Sequence, residues 1–185
     1  MTAVVFFGLW RLYWLITARK TDKEKPKNKQ VTLKSYFERI VQTSAGLFLL
    51  IQLFGLRILP TPDNIFIQII GLALLVLGIV IAVSARISLG TNWTQSYDYQ
   101  IKKNHELVSK GIYQYIRHPI YLSVILVYTG GLIISQTYLF TVFLIILSIW
   151  AYSHGKREEK ILLKQFGGNY HDYMKKTKML IPFII

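Results

Sequence analysis

Hydrophobic residues in this chain fall in long blocks separated by short polar stretches that are mostly basic. A helix needs roughly 20 apolar residues to cross a bilayer core about 30 Å thick, and several blocks approach that length. The clearest is 65–85, which carries no charge and has Gln68 as its only strongly polar side chain. A second block, 40–56, is stopped by Arg57 and then by Pro60 and Pro62. A third, 2–18, is interrupted only by Arg11. It lacks a basic start and an Ala-x-Ala site, so it predicts an uncleaved first helix and not a signal peptide. The apolar run 119–153 is too long for one ordinary span, and Gly130, Gly131 and Ser135-Gln136-Thr137 offer a turn near its middle. This pattern predicts two short helices, about 120–134 and 138–153, folded as a tight hairpin. The expected fold is an all-α membrane protein of about five transmembrane helices, one domain over 1–185.

Composition changes this picture little, whereas charge orients it. The 185 residues are 52% hydrophobic, too apolar for an ordinary soluble or disordered chain. Lys and Arg number 22 against 9 Asp and Glu, a net charge of +13. In a soluble protein that excess points to nucleic acid; here it fits basic loops flanking membrane helices, and no nucleic-acid partner is expected. Eight cations lie in 19–39, five in 86–118 and seven in 153–185, all loops that five spans put on one side. The positive-inside rule then expects the N-terminus outside and the C-terminal tail in the cytoplasm. The sequon Asn92-Trp93-Thr94 would be cytosolic and unmodified. Lys20, Lys23, Lys25, Lys27 and Lys29 read as a solvated loop or as a lipid-head-group site. Cysteine is absent, which removes disulfides, thiolate metal sites and a Cys nucleophile. Nothing in the pattern specifies an oligomer.

Candidate chemistry sits in two polar stretches that flank the hairpin. No Gly-x-Gly pair exists, so a Rossmann turn or P-loop is not expected, and the four histidines lack His-x-x-x-His spacing for a metal. The first stretch, 86–121, is rich in aromatic residues that suit a membrane interface. It ends in Arg117-His118-Pro119. Proline favours the first helical position, so Arg117 and His118 sit at a helix mouth that attracts anions. The second stretch begins His154-Gly155-Lys156-Arg157-Glu158-Glu159 and goes on in a helix-like run to Phe166-Gly167-Gly168. The Glu pair is either a salt-bridged helix surface or, because the hairpin returns the chain to its entry point, a partner for His118. Together they would make a site for a zwitterion.

Read in order, His105-x-Leu107-Val108-x-x-Gly111-x-Tyr113, Arg117-His118-Pro119-Ile120-Tyr121, Glu158-Glu159, Phe166-Gly167-x-x-Tyr170-x-x-Tyr173 and Ile181-Pro182 resemble the isoprenylcysteine carboxyl methyltransferase family. Arg86-x-x-Leu89-Gly90-x-x-Trp93 extends the likeness, which covers roughly 86–183. These are integral membrane enzymes that use S-adenosyl-L-methionine and are distantly similar to phospholipid N-methyltransferases. The resemblance implies a cofactor site built by the cytoplasmic loop and tail. His105, Glu106, Leu107 and Val108 would hold the adenine end, with Tyr113 nearby. His118, Pro119, Ile120 and Tyr121 would hold the methionine portion, and Glu158 a polar group of the cofactor. The chain departs from the family where an arginine, four residues before the glutamate, holds the substrate carboxylate; here that position is His154. Arg157 and Arg86 are the other candidates for anchoring, with Lys156 close by. Ile112, where the family often has proline, is a minor difference.

The resemblance implies methyl transfer to a lipid-like acceptor, foremost the carboxylate of an isoprenylated cysteine, with membrane lipids as surroundings. The rival enzyme reading is methylation of a lipid amine, which would need a base and no cationic anchor. A non-catalytic scaffold or transporter subunit is the third reading, and a transporter tends to show more charge or broken helices in mid-span.

Overall fold

The structure is a computed structural model that describes residues 2–22, 33–93, 106–182 and 184. His105, Thr94 of the sequon and Lys23, Lys25, Lys27 and Lys29 lie outside these residues. Six α-helices account for most of them: α1 (Thr2–Asp22), α2 (Leu33–Leu53), α3 (Ile65–Leu89), α4 (Pro119–Ile134), α5 (Leu139–Phe166) and α6 (Gly168–Lys176). No strand is present among the described residues.

Local chemistry explains where these helices begin and end. Asn64 caps α3: its side-chain oxygen accepts from the backbone N–H groups of Phe66 and Ile67 at 2.9 and 3.2 Å. Pro119 opens α4. Gly167, at φ 52°, closes α5 and starts α6, a backbone conformation that side chains with a Cβ disfavour.

The hairpin forms, with two differences from the sequence expectation. Its turn uses 135–138, whereas Gly130 and Gly131 stay helical inside α4. They are packing sites: a Cβ on Gly130 would come within 2.6 Å of the Leu75 backbone nitrogen, and one on Gly131 within 2.9 Å of the Leu49 side chain. Gly71 and Gly78 complete the seam from the α3 side, facing the carbonyls of Gly130 and Ser123. Missing side chains let helix backbones touch, the usual device where lipid supplies no hydrophobic drive between helices. The second difference is length. Rather than stopping near 153, α5 continues unbroken to Phe166, about 42 Å at 1.5 Å per residue.

Phe7 and Trp10 of α1, Leu49 of α2, Ala82 of α3, and Val127, Tyr128 and Leu132 of α4 form the buried core. The outer faces are apolar as well: Leu9, Leu12, Ile69, Val80, Ile145 and Ile149 are all exposed. A surface of that kind belongs against lipid. By length and composition α3 and α5 are each sufficient to cross a membrane; Ala3–Thr17 and Pro119–Ile134 are apolar but shorter.

The bundle has two distinct ends. At one, the α2–α3 loop meets the α4–α5 turn, where Tyr138 N–H donates to Leu59 O at 2.9 Å and Thr61 N–H to Gln136 O at 2.7 Å. At the other, the segment before α4 meets the tail after α6: Arg117 N–H donates to Lys178 O at 2.8 Å and His118 N–H to Met179 O at 3.0 Å. The candidate chemistry gathers at this second end.

Candidate active site

The mouth of α4 and the far part of α5 face each other across a cluster of four ionisable side chains. Pro119 keeps His118 out of the helix, and the His118 side chain makes no capping bond. Instead, its Nδ1 lies 3.4 Å from Glu158 Oε2 and its Nε2 3.6 Å from Glu159 Oε1. The approach depends on Gly155, one turn earlier on α5, where an added Cβ would sit 3.1 Å from His118 Cδ2 and would also collide with Met179.

Glu158 and Glu159 then diverge. Glu159 is 3% exposed and accepts from Arg117 Nε at 2.7 Å. The same guanidinium donates to the carbonyls of Met174 and Thr177. Arg117 therefore ties the tail to α5. Glu158 turns toward a cavity and accepts a hydrogen bond from the Tyr121 hydroxyl.

Electrostatics follow from this packing. Burial alone would favour neutral Glu159, but hydrogen bonds from His118 and Arg117 and their charges outweigh it and bring the carboxyl down to about 2. For His118 burial again opposes charge. Hydrogen bonding to Glu158 and Glu159 and their negative charges win, so its pKa is raised above 6.5. Burial raises the Tyr173 hydroxyl, which donates to Tyr113 O at 2.7 Å.

The cavity holds about 700 Å³. Its polar end is lined by Glu106, Leu107, Val108, Tyr113, His118, Ile120, Tyr121 and Glu158, together with Tyr170 and Tyr173 of α6. Eight of the ten residues proposed for a cofactor thus converge on one wall. Pro119 is buried behind them as the helix start, and His105 lies outside the described residues. The other end runs between α1, α2, α4 and α5, against Trp10, Trp14, Phe48, Val124, Tyr128 and Leu147.

The three residues considered for anchoring do not line this cavity. His154 donates from Nδ1 to Trp150 O at 3.0 Å and places Nε2 3.6 Å from Glu38 Oε1. Arg157 is on the exposed face of α5. Arg86 donates to Thr17 O at 2.9 Å and lies over the Trp93 ring, 3.9 Å from its centroid. Four contributors had weak signals in the sequence: Glu159 stood beside the Glu158 that the resemblance singled out, Tyr170 and Tyr173 stood only in a motif, and Arg11 was a lone charge in a span. Among the described residues no group of His, Asp and Glu is arranged to hold a metal.

Comparison with known proteins agrees with this geometry. A family model for phospholipid methyltransferase matches residues 66–169. A probable protein-S-isoprenylcysteine O-methyltransferase of Oryza sativa subsp. indica is 30% identical over 122 residues, 64% of this chain and 63% of that protein. The protein-S-isoprenylcysteine O-methyltransferase of Schizosaccharomyces pombe is 31% identical over 119 residues, 63% of this chain and 50% of its own. A methanethiol S-methyltransferase of Crocosphaera subtropica is 32% identical over 129 residues, 66% of this chain and 50% of that protein. The matches thus span less than two thirds of these relatives' lengths. Among solved structures, the eukaryotic intramembrane Ras methyltransferase (isoprenylcysteine carboxyl methyltransferase) aligns with a TM-score of 0.66 at 22% identity, covering 100% of this chain and 68% of that one. The bundle therefore has a membrane methyltransferase fold. With more than half its length matched, the chain belongs to the phospholipid methyltransferase family, in which its relatives include isoprenylcysteine O-methyltransferases.

Proposed function

We propose that the protein is a membrane methyltransferase that uses S-adenosyl-L-methionine to methylate the carboxylate of an isoprenylated cysteine or a similar lipid-like acceptor. One observation carries this: a single cavity joins a polar end, with Glu158, His118 and Tyr121, to an apolar end between membrane helices. That shape suits a soluble donor meeting a greasy acceptor. The names of the relatives support the choice of acceptor.

The polar end fits such a cofactor. Glu158 offers a carboxylate to a cationic group, and the rings of Tyr113, Tyr121 and Tyr170 suit the charged sulfonium and the flat base. When bound, S-adenosylmethionine supplies an electrophilic methyl group, which a carboxylate oxygen takes as the carbon–sulfur bonding pair stays on sulfur and no proton moves. The chain's own work is placement. His118 and Tyr121 fix Glu158, Arg117 and Glu159 hold the tail against the site, and the aromatic wall excludes water. Bringing two groups together in line lowers the barrier, and loss of opposite charge in the transition state is easier away from bulk water. The basic end of the bundle is proposed to face the cytoplasm, with the N-terminus outside and five crossings.

The test is binding of S-adenosylmethionine to the detergent-purified protein, followed by methyl transfer to a farnesylated cysteine analogue, to phosphatidylethanolamine and to methanethiol. The expected result is binding, and transfer to the farnesylated carboxylate. Loss of a hydrogen bond to a charged group costs about 1.5–3 kcal/mol, so Glu158→Ala should weaken cofactor binding by about tenfold or more. A wild type that binds no cofactor sinks the proposal; transfer only to the amine or only to the thiol reassigns the acceptor.

A further inference from the structure

We propose that Arg11, carried by the first helix, takes over the anchoring of the acceptor's anionic group that family members assign to an arginine at the position of His154. The inference rests on the methyltransferase reading above. It begins with cost: a charged side chain in a membrane span is expensive and persists where it faces a protein interior and has work to do. Arg11 satisfies the first condition, because it lines the cavity rather than the lipid face. Its guanidinium lies beside Gly46 and the Tyr128 hydroxyl; a Cβ added at Gly46 would be 3.7 Å from Arg11 Cζ and 3.5 Å from that hydroxyl oxygen. The guanidinium therefore packs against α2 at Gly46 and beside the α4 tyrosine.

No carboxylate among the described residues pairs with it. The acidic residues of the cavity wall, Glu106 and Glu158, belong to the polar end, and Glu158 is already engaged by His118 and Tyr121. The apolar end of the cavity is lined by Phe48, Val124 and Leu147, with Gln42 and Ser44 among its polar residues. A second donor lines the same cavity: the indole N–H of Trp10, a residue 5% exposed, has no hydrogen-bond acceptor. A half-buried cation that lines the cavity beside a hydroxyl, with no carboxylate partner among the described residues, is a receptor for an anion, and guanidinium matches a carboxylate with two parallel donors. Position agrees. Tyr128 stands two turns along α4 from Tyr121, and helical side chains lean toward the helix start, so its hydroxyl and Arg11 lie just below the proposed methyl-donor site. A carboxylate held there has its apolar tail in the membrane half of the cavity.

The decisive experiment compares a fluorescent farnesyl-cysteine thioether bearing a free carboxylate with its carboxamide twin. Binding of both is measured on purified wild type and on Arg11→Met and Arg11→Lys, with cofactor affinity as the check on folding. Wild type should prefer the carboxylate by about tenfold or more, Arg11→Met should bind both alike, and Arg11→Lys should fall between them. A wild type without preference, or an Arg11→Met that keeps it, overturns the inference. If Arg11→Met loses the cofactor, Arg11→Lys decides: a weakened preference supports the role and an unchanged one refutes it. Displacement of the carboxylate probe by phosphatidylethanolamine in wild type but not in Arg11→Lys would point to a phosphodiester as the natural anion and overturn the carboxylate assignment. A wild type that prefers the carboxylate yet transfers no methyl group sinks the proposed activity and leaves Arg11's role standing. Transfer that is indifferent to Arg11 does the reverse.

Discussion

Glu158 and Glu159 are neighbours in sequence but about 100° apart around α5, and that rotation gives them different work. Glu159 is spent on Arg117 and the tail, whereas Glu158 keeps a face toward the cavity. His118 lies between them, and its raised pKa has a consequence with a definite sign. A histidine that gains anionic partners on folding adds stability that is complete below 6.5 and is lost as pH rises through its folded value. Glu159 acts in the opposite sense: held near 2 against an ordinary 4.5, it adds stability above 4.5 that disappears as pH falls through about 2. Thermal unfolding in detergent should therefore show the wild type losing stability as pH rises above 6.5, with a flatter profile for His118→Gln. Parallel profiles would mean that His118 is neutral throughout. His118 was legible because proline fixes its place beside a helix mouth. Spacing alone did not say which glutamate would face the cavity, since that depends on the rotation of a helix whose far end it could not phase; only the family resemblance singled out Glu158.

Between elements, the decisive contact is the glycine seam of α3 and α4. A side chain at Gly130 meets backbone, which has nowhere to move, so Gly130→Val must push the helices apart. Overpacking of this kind costs about 1–3 kcal/mol, and the melting temperature in detergent should fall by several degrees. Gly8→Ala, with nothing within 4 Å of its Cβ, should leave it unchanged. Hydrophobic blocks revealed the helices because block length reports directly on a bilayer. They misled about Gly130 and Gly131, since a glycine pair reads equally as a turn or as a close approach and only the facing helix separates the two. The extent of α5 was half legible: a helix-like run to Phe166 was expected, but its continuity with the hairpin helix was not, because apolar block length says nothing about a helix once it leaves the lipid.

For the whole molecule, the proposed orientation makes a prediction that the composition renders easy to check. With no native cysteine, single substitutions report without background. Asp63→Cys, on the loop between α2 and α3, should react with a membrane-impermeant thiol reagent from outside intact cells; Lys175→Cys, on α6, should react only after the membrane is opened. The reverse pattern would invert the bundle. Twenty of the 22 cations signalled one side in the sequence, and the structure brings two of the three basic segments, the α3–α4 segment and the tail, together at one end.

The backbone contact of α3 with α4 carries a last consequence, for how the molecule yields. Two helices that touch through Gly71, Gly78 and Gly130 form a stiff keel, and the wall proposed for the methyl donor adjoins it. The first two helices join that keel mainly through side chains, Phe7 and Leu49 among them, and through the Arg86 hydrogen bond to Thr17 O. Mechanical compliance is thus concentrated in the half that bears Arg11. On the proposed function, acceptors of different girth would be accommodated by displacing that half without disturbing the donor wall. A change of acceptor preference is accordingly open to substitutions in the first two helices at little cost to cofactor affinity.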